Sequence, residues 1–354
     1  MSKWKGEKIS FEIYGASHDD KIGVICKNFP SVKINDVKLS EFMARRKGGQ
    51  GFGTTARLES DTPEFISGVV DGKIIDGNFE AVIYNNDKKS KDYGELYAKP
   101  RPSHADYCDY LKSGNLDFRG GGRFSGRLTA PYCVAGYVAK EYLNSQGVYA
   151  HAYLSSVGKV KGKSYLDNVS REEIENISGF PSLTNQKKMI REIEKARKSN
   201  DSVGAVIECV VFGAKKGLGN DYFMGLEGKM ASLLYAIPAV KGVEFGLGFN
   251  LAKTRGSRSN DCYYFDENGE VKTRTNNGGG IYGGITNGMP ITLRVAMKPT
   301  PSISREQETI DLINKKNVKI KIIGRHDACV AVRALPVVES AIYLALLDCE
   351  ENYD

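Results

Sequence analysis

The stretch DFRGGGRFSGRLTAPYCVAGYVAKEYL at residues 117–143 joins a glycine-rich turn to a helix. Leu128, Tyr132, Ala135, Ala139 and Tyr142 recur at helical spacing, and Ser125 is placed to cap the helix N-terminus with its hydroxyl. Ala130, Cys133, Gly136 and Ala139 are small enough to let another element pack closely. Pro131 falls in the first two turns, where a missing N–H is tolerated best. The arrangement returns in GRHDACVAVRALPVVESAIYLALLD at 324–348: Gly324-Arg325, like Gly122-Arg123, stands before a long helix of small apolar residues that carries a proline. Pro336 sits deeper in its helix than Pro131 and is expected to kink it. The echo points to two related β-α-β-like halves.

Outward from these segments, strands are expected at 22–26, 65–70, 81–84, 203–212, 243–247 and 291–295, where β-branched or alternating residues cluster. Helices are expected at 125–143, 183–199, 222–237 (ending at Pro238) and 330–348. In the second of these Met189, Ile190, Ile193 and Ala196 form one apolar stripe, with Lys187, Lys188, Lys195 and Lys198 facing water. Glycine concentrates at 48–53, 120–126, 242–248 and 278–284. It costs backbone entropy, so such runs mark tight turns or a main chain that closely approaches a ligand.

A chain of 354 residues suits two domains or one large domain with internal duplication. Its 41% hydrophobic and 26% charged residues are the balance of a soluble globular protein. The apolar run 341–347 is far short of the ~20 residues that span a bilayer, and the N-terminus lacks the apolar core of a secretory signal. Both point to the cytoplasm and away from the membrane. The seven cysteines are odd in number and never in a Cys-x-x-Cys pair, which suggests neither a disulfide framework nor a zinc site. A net charge of +7 favours anionic partners. Many arginines sit singly in glycine-rich turns and not on one basic helix or tail, a distribution that favours small anions over nucleic acid.

Of four histidines, His18, His104 and His326 lie in polar, glycine- or arginine-bearing contexts; His151, in the strand-like YAHAY, reads as structural. Histidine titrates near neutrality, so those in turns are candidate proton donors or acceptors. Arg45, Arg46, Arg57, Arg101, Arg119, Arg123, Arg127 and Arg325 offer planar guanidinium groups that bind carboxylate and phosphate bidentately. A ligand with several negative charges is implied. No Walker A sequence, dinucleotide fingerprint or serine elbow is present, and no further His or Cys spacing completes a metal site around His104 and Asp106 or His326 and Asp327.

Taken in order, GASH at 15–18, RRKGGQGFGTTARLESD at 45–61, RPSHAD at 101–106, DFRGGGRFSGRLTA at 117–130, IPAVKGVEFGLGF at 237–249, NNGGGIYGGITNGMPI at 276–291, KPTPSI at 298–303 and GRHDACVAVRALPVVESA at 324–341 resemble the chorismate synthase family over nearly the whole chain. The resemblance implies an α+β fold, a β-α-β sandwich with internal pseudo-duplication, over residues 1–354 as a single large domain. It also implies a homotetramer that binds reduced FMN beside 5-enolpyruvylshikimate 3-phosphate. The family reaction is an anti-1,4-elimination that releases phosphate and gives chorismate without net redox change, and most of its chemistry belongs to the cofactor. By motif, FMN is assigned to Arg123, Phe124, Ser125, Pro238, Ala239, Gly283, Lys298, Pro299, Thr300, Pro301, Ser302 and Arg325. Substrate is assigned to Arg45, Arg57, Arg101, Ser125, Arg127 and Arg325. His18 is expected near the flavin N1 edge, His104 as the acid for the leaving phosphate, and Asp327 as an aid to proton removal at the flavin N5 region.

The chain departs from the family pattern at Ala16 and Asp19, which flank Ser17-His18, and at Phe52 and Leu58, where basic residues are usual. The last two remove charge that NADPH would use. The sequence therefore leaves open whether NADPH serves as an indirect reductant through a separate flavin reductase or whether the protein reduces its own FMN. Two rival readings are a catalytically impaired homologue that senses FMN or small anions, and an RNA-binding protein. A binding protein has no need of His18, His104 and Asp327, and no aromatic-basic RNA motif occurs.

Overall fold

The computed structural model describes residues 2–17, 19–48, 61–85, 96–118, 120–322 and 326–350. In the first half β1 (Ser2–Lys5), β2 (Ser10–Tyr14), β3 (Lys21–Lys27), β4 (Glu64–Ser67) and β5 (Phe79–Tyr84) form an antiparallel sheet in the order β1-β2-β3-β5-β4. Alternation along β3 turns Ile22, Val24 and Cys26 to the interior, where each is fully buried. Helices α1 (Asp36–Ala44), α2 (Asp106–Ser113) and α3 (Thr129–Ser145) belong to this half. In the second half β6 (Tyr149–Val157), β7 (Val160–Lys161), β8 (Ala205–Phe212), β9 (Val240–Phe245) and β10 (Ile291–Met297) make another antiparallel sheet, ordered β9-β10-β8-β6-β7. With it go α4 (Gln186–Lys198), α5 (Leu226–Tyr235), the hairpin β11 (Glu306–Asp311) and β12 (Lys316–Lys321), and α6 (Ala331–Cys349).

The two halves repeat one plan. Along the chain β2-β3-α1-β4-β5-α3 matches β6-β8-α5-β9-β10-α6, and across the sheets β4-β5-β3-β2 matches β9-β10-β8-β6. Neighbouring helices make a layer ordered α1-α3-α6-α5, with α3 on the first sheet and α6 on the second. The expected sandwich and its two related halves are therefore features of the fold. The repeats differ in what is inserted before their last helix: α2 and its loop before α3, the β11–β12 hairpin before α6. Those insertions pack on each other through Leu96, Phe118, Ile320 and Ile322.

The helix layer is held by small residues. Gly136 of α3 lies against Ser340 of α6 so closely that a methyl group on Gly136 would stand 2.6 Å from the Ser340 Cα. A second contact, between the Asn144 amide and the Tyr343 hydroxyl at 3.0 Å, shows that α3 and α6 run in parallel, with both N-termini at one end. Most of α6 is buried, including Leu335, Val338, Ala341, Ile342 and Leu346, and each large apolar side chain so enclosed contributes about 1.5–3 kcal/mol. Pro336 lies within α6, which continues through it to Cys349.

Several boundaries differ from the sequence expectation. Ser125 does not cap α3 itself: its Oγ accepts from the Arg127 N–H (3.2 Å) and caps a 3-10 turn at Gly126–Leu128 that leads into the helix. That turn swings Arg127 into the interior. The run at 65–70 breaks at Gly68, whose φ of 77° no β-strand residue adopts, and only Glu64–Ser67 joins the sheet. The helix expected from 222 starts at Leu226, after a short 3-10 turn.

A buried charged triad ties α1 to α3. The Asp61 carboxylate accepts from Arg46, just past α1, and from Arg127, and all three side chains are nearly inaccessible. Arg46 also reaches Thr129 Oγ1 (3.2 Å) at the start of α3. Burial alone would raise the Asp61 pKa, but the charges and hydrogen bonds of Arg46 and Arg127 outweigh it and hold the carboxyl below its ordinary range. Because its folded pKa is depressed, the Asp61 contribution is present above the unfolded value of about 3.9 and is lost as pH falls through the folded value. Asp61→Asn, which leaves two guanidinium groups without their buried counter-ion, is expected to cost about 3–5 kcal/mol in denaturant unfolding. The variant should also lose less stability than wild type on acidification below about pH 4; parallel pH profiles would contradict the assignment. Gly136→Ala is expected to destabilise by about 1–3 kcal/mol despite the better helix propensity of alanine, because the α3–α6 contact must open. Urea midpoints of the two proteins measure this, and an unchanged or higher midpoint would show that the contact relaxes at no cost.

Candidate active site

The insertion before α3 carries the RPSHAD segment. Asp106 opens α2, where a negative charge suits the helix N-terminus. Its carboxylate accepts from Arg101 Nε and Nη2, both at 2.7 Å, from the Arg101 backbone N–H at 2.9 Å, and lies 2.5 Å from His104 Nδ1. Arg101 Nη2 also donates to the Gly120 carbonyl at 2.6 Å, which anchors this loop to the glycine-rich turn. Burial would raise the Asp106 pKa, yet the hydrogen bonds from Arg101 and His104 bring it to about 2. Ser103, with φ of 58°, takes a left-handed conformation that a non-glycine residue adopts at a cost, and it turns the loop back toward α2. From the other half, the β11–β12 hairpin braces the segment: Leu312 N–H donates to the Ala98 carbonyl (3.0 Å) and Thr309 Oγ1 to that of Pro100.

The corresponding segment before α6 brings His326 and Asp327. Burial lowers the His326 pKa, and the positive charge of Arg101 lowers it further, so the two segments share one electrostatic environment. Asp327 accepts from Arg333 Nη1 at 2.7 Å, and Arg333 Nε donates to the Arg46 carbonyl at 2.8 Å. From there the Asp61 triad leads to Arg127, whose Nε donates to Asn85 Oδ1 (2.9 Å). The Asn85 amide in turn donates to the Asp19 carbonyl (2.8 Å) and the Ala16 carbonyl (3.4 Å), and Ser17 N–H reaches the Gly122 carbonyl (3.3 Å). The turn on either side of position 18 is thereby fastened to the glycine-rich turn. His18, Arg57 and Arg325 lie outside the described residues, as do Arg119, Phe52 and Leu58.

A further wall is made by residues 298–302 and the glycine-rich turn. Lys298 Nζ donates to the Ser103 carbonyl, and its backbone N–H to the Ala239 carbonyl at 2.9 Å, which joins KPTPS, the Pro238-Ala239 turn and RPSHAD. Burial, and then the charge of Lys241, lower the Lys298 pKa. Ala239 has φ of 75°. Thr300 accepts from Ser202 Oγ through its carbonyl (2.7 Å), Pro299 packs on Gly204, Gln307 reaches the Pro301 carbonyl (3.4 Å), and Ser302 is buried. Arg123 pairs with Asp109 and lies 5.1 Å over the half-exposed Phe124 ring. Gly121 lies so near Ser125 that a Cβ there would come within 2.9 Å of the Ser125 Cα.

Two assigned residues stand apart from this network. Gly283 turns a small hairpin (Ile281–Tyr282 with Ile285–Thr286) that packs on residues 218–226. Arg45 does not join Arg46 at Asp61: its guanidinium holds Glu339 in a bidentate pair (2.6 and 2.7 Å) at a cavity of about 720 Å³, which His151 and Arg333 also line. There the Glu339 carboxylate also accepts the Ala152 N–H at 3.0 Å, so Arg45 is engaged in tying α1 to α6 and β6. His151 stands 3.7 Å from Glu175 and packs on Phe212, with its pKa lowered by burial.

Sequence reasoning did not single out Asp61, Asn85, Asp106 or Arg333 as site-building groups. Asp61 and Asp106 close quoted blocks; Asp61 pairs with an arginine 66 residues away, which leaves no spacing signal, whereas Asp106 lies five residues from Arg101 and two from His104, and only the turn of the loop shows that it holds both. Among the described residues there is no group of three or more His, Cys, Asp or Glu able to hold a metal ion, and no helix long and apolar enough to cross a membrane. The cysteines stand unpaired.

Comparison with known proteins bears on the family and the fold. The family model described as chorismate synthase matches residues 9–350. The chorismate synthase of Thermococcus kodakarensis is 42% identical over 348 residues, which cover 97% of this chain and 96% of the relative. That of Pyrococcus abyssi is 43% identical over 348 residues with the same shares, and that of Methanothermobacter thermautotrophicus 40% identical over 349 residues, 97% of this chain and 92% of the relative. A crystal structure of chorismate synthase has a TM-score of 0.76 at 26% identity and spans 98% of this chain and 92% of its own. With a matching fold, a family model that covers nearly the whole chain and relatives about 40% identical along its length, the chain belongs to the chorismate synthase family.

Proposed function

We propose that this protein is a phosphate-eliminating lyase that converts 5-enolpyruvylshikimate 3-phosphate to chorismate with reduced FMN bound beside the substrate. The observation that carries the reading is the convergence of RPSHAD, the His326-Asp327 segment and the Asp61-held arginines at the N-terminal ends of two parallel helices. Helix N-termini favour anions, and Arg101, Arg123, Arg127 and Lys298 add positive charge around them. A substrate with one phosphate and two carboxylates needs such a surface.

The residues present fit a phosphorylated planar cofactor. Gly122 leaves the backbone bare with open space where a side chain would stand, Gly121 lets Ser125 approach closely, Arg123 and Lys298 supply charge, and Thr300 Oγ1 and His326 Nε2 are buried without a hydrogen-bond partner among the described residues. We assign FMN to these groups together with Phe124, Ser125, Pro238, Ala239, Pro299, Pro301 and Ser302; Gly283 and Arg325 complete the set carried over by motif. When bound, reduced FMN supplies electron density as the phosphate leaves and a place for the ring proton. The protein's part is to orient, to neutralise charge and to hold protons. Arg101 and Arg127, fixed by Asp106 and Asp61, anchor the substrate's anionic groups with Arg57 and Ser125. His104 donates a proton to the departing phosphate oxygen, and the electron pair of the broken C–O bond leaves with that oxygen. Asp327, held by Arg333, assists removal of the ring proton, and His18 maintains the protonation state at the flavin N1 edge.

We infer in addition that residues 1–354 act as one domain within a cytoplasmic homotetramer. FMN is kept reduced either by the protein or by a separate reductase that draws on NADPH. The reading is tested anaerobically with chemically reduced FMN and 5-enolpyruvylshikimate 3-phosphate, following phosphate and chorismate together. Equimolar release of both is expected, and a folded protein that yields neither overturns the function. His104→Ala and Asp327→Asn should each lower turnover by about 10²–10⁴-fold, the range of a positioned acid or base. Wild-type rates in both variants would remove the two residues from their roles.

A further inference from the structure

Resting on the reading of this pocket as the elimination site, we propose that Asp106 is its positioning residue: one carboxylate fixes the tautomer of His104 and at the same time locks the Arg101 guanidinium. The geometry leaves little choice. Asp106 Oδ1 lies 2.5 Å from His104 Nδ1. An ionised carboxylate only accepts hydrogen bonds, so the ring nitrogen facing it must carry a proton. Among the described residues Arg101 Nη2, 3.2 Å from the same nitrogen, is the only competing group in this contact, and it could favour the opposite tautomer by donating to Nδ1. Its two hydrogens are already engaged, by Asp106 Oδ1 at 2.7 Å and the Gly120 carbonyl at 2.6 Å. Asp106 therefore decides the tautomer, and Nε2 is the nitrogen left for a bound phosphate.

The choice matters for the chemistry. Protonated His104 gives its Nε2 proton to the leaving phosphate oxygen and is left as neutral imidazole with the proton on Nδ1, the form that Asp106 accepts from. Donor state and product state are then matched without ring rotation, a role like that of the acid behind a catalytic histidine in other enzymes. Asp106 itself is buried, sits in the first turn of α2 and is held ionised by Arg101, so its carboxylate neither wanders nor takes the proton. The same residue couples acid and anchor, since Oδ2 accepts from both Arg101 Nε and the Arg101 backbone.

The test is a long-range ¹⁵N–¹H spectrum of protein labelled at histidine, recorded without substrate or flavin at a pH where the ring is neutral, with His104 assigned by its loss in His104→Ala. Wild type should show His104 with the proton on Nδ1, and Asp106→Asn should move it to Nε2. In the anaerobic assay that variant should lose about 10²–10⁴-fold in kcat, as for a histidine held in the wrong tautomer, while KM changes by less than about tenfold. Asp106→Glu, which keeps the charge, should retain the Nδ1 signature. A wild-type spectrum with the proton on Nε2 overturns the proposal even if Asp106→Asn does not fold, and so does a wild-type kcat in an Asp106→Asn protein whose tautomer has changed. The spectrum needs no turnover, so an inactive wild type would count against the elimination reading and leave the tautomer result to stand on its own.

Discussion

The close contact of two parallel helices is the constraint on which the molecule is built. Gly136 and Ser340 bring α3 and α6 together without intervening side chains, and the parallel direction places both N-termini at the same end. Each helix is the last element of its repeat, so whatever the chain inserts just before it is delivered to that end. The first repeat inserts RPSHAD and the glycine-rich turn, and the second inserts the β11–β12 hairpin and the His326-Asp327 segment. The two positions are equivalent in the repeats, and the different insertions they carry pack on each other through Leu96, Phe118, Ile320 and Ile322.

Charge is what makes the candidate site expensive to build and useful once built. Guanidinium groups of Arg46, Arg101 and Arg127 are buried at levels that isolated ions do not tolerate. Asp61 and Asp106 each answer the problem by accepting several hydrogen bonds, and their depressed pKa values keep them ionised at neutral pH. The arginines remain positive and fixed in direction, which is the form of electrostatic help that does not require reorganisation when charge moves in a reaction. Arg333 extends the same arrangement to Asp327. Site geometry and part of the folding stability thus rest on the same acids.

The contrast between Arg45 and Arg46 shows how far sequence adjacency can mislead. Both stand in one arginine-rich block, yet at the end of a helix neighbouring side chains point in different directions. Arg46 turns to Asp61 and the pocket, whereas Arg45 turns to Glu339. The block announces cationic chemistry without telling which guanidinium serves structure. Ser125 carries a similar lesson, since the residue suited to cap a helix caps the turn before it, and that extra turn is what buries Arg127.

Local physics was enough to read much of this protein from its residues. The apolar periodicities of α3, α4 and α6, the β-branched runs of the inner strands, and the repeated Gly-Arg before a proline-bearing helix depend on interactions within a few residues, and the ordered motifs carry the family. The His104 candidate was visible because histidine in a polar turn is unusual, and the Asp327 candidate because its motif resembles the family's. Only the tertiary structure could decide that the two sheets share one strand order, that the two insertions pack on each other, and which acid holds which arginine. Those pairings join residues up to 294 positions apart, as between Arg45 and Glu339, and contacts between distant segments are set by the packing of whole elements, which no local pattern records.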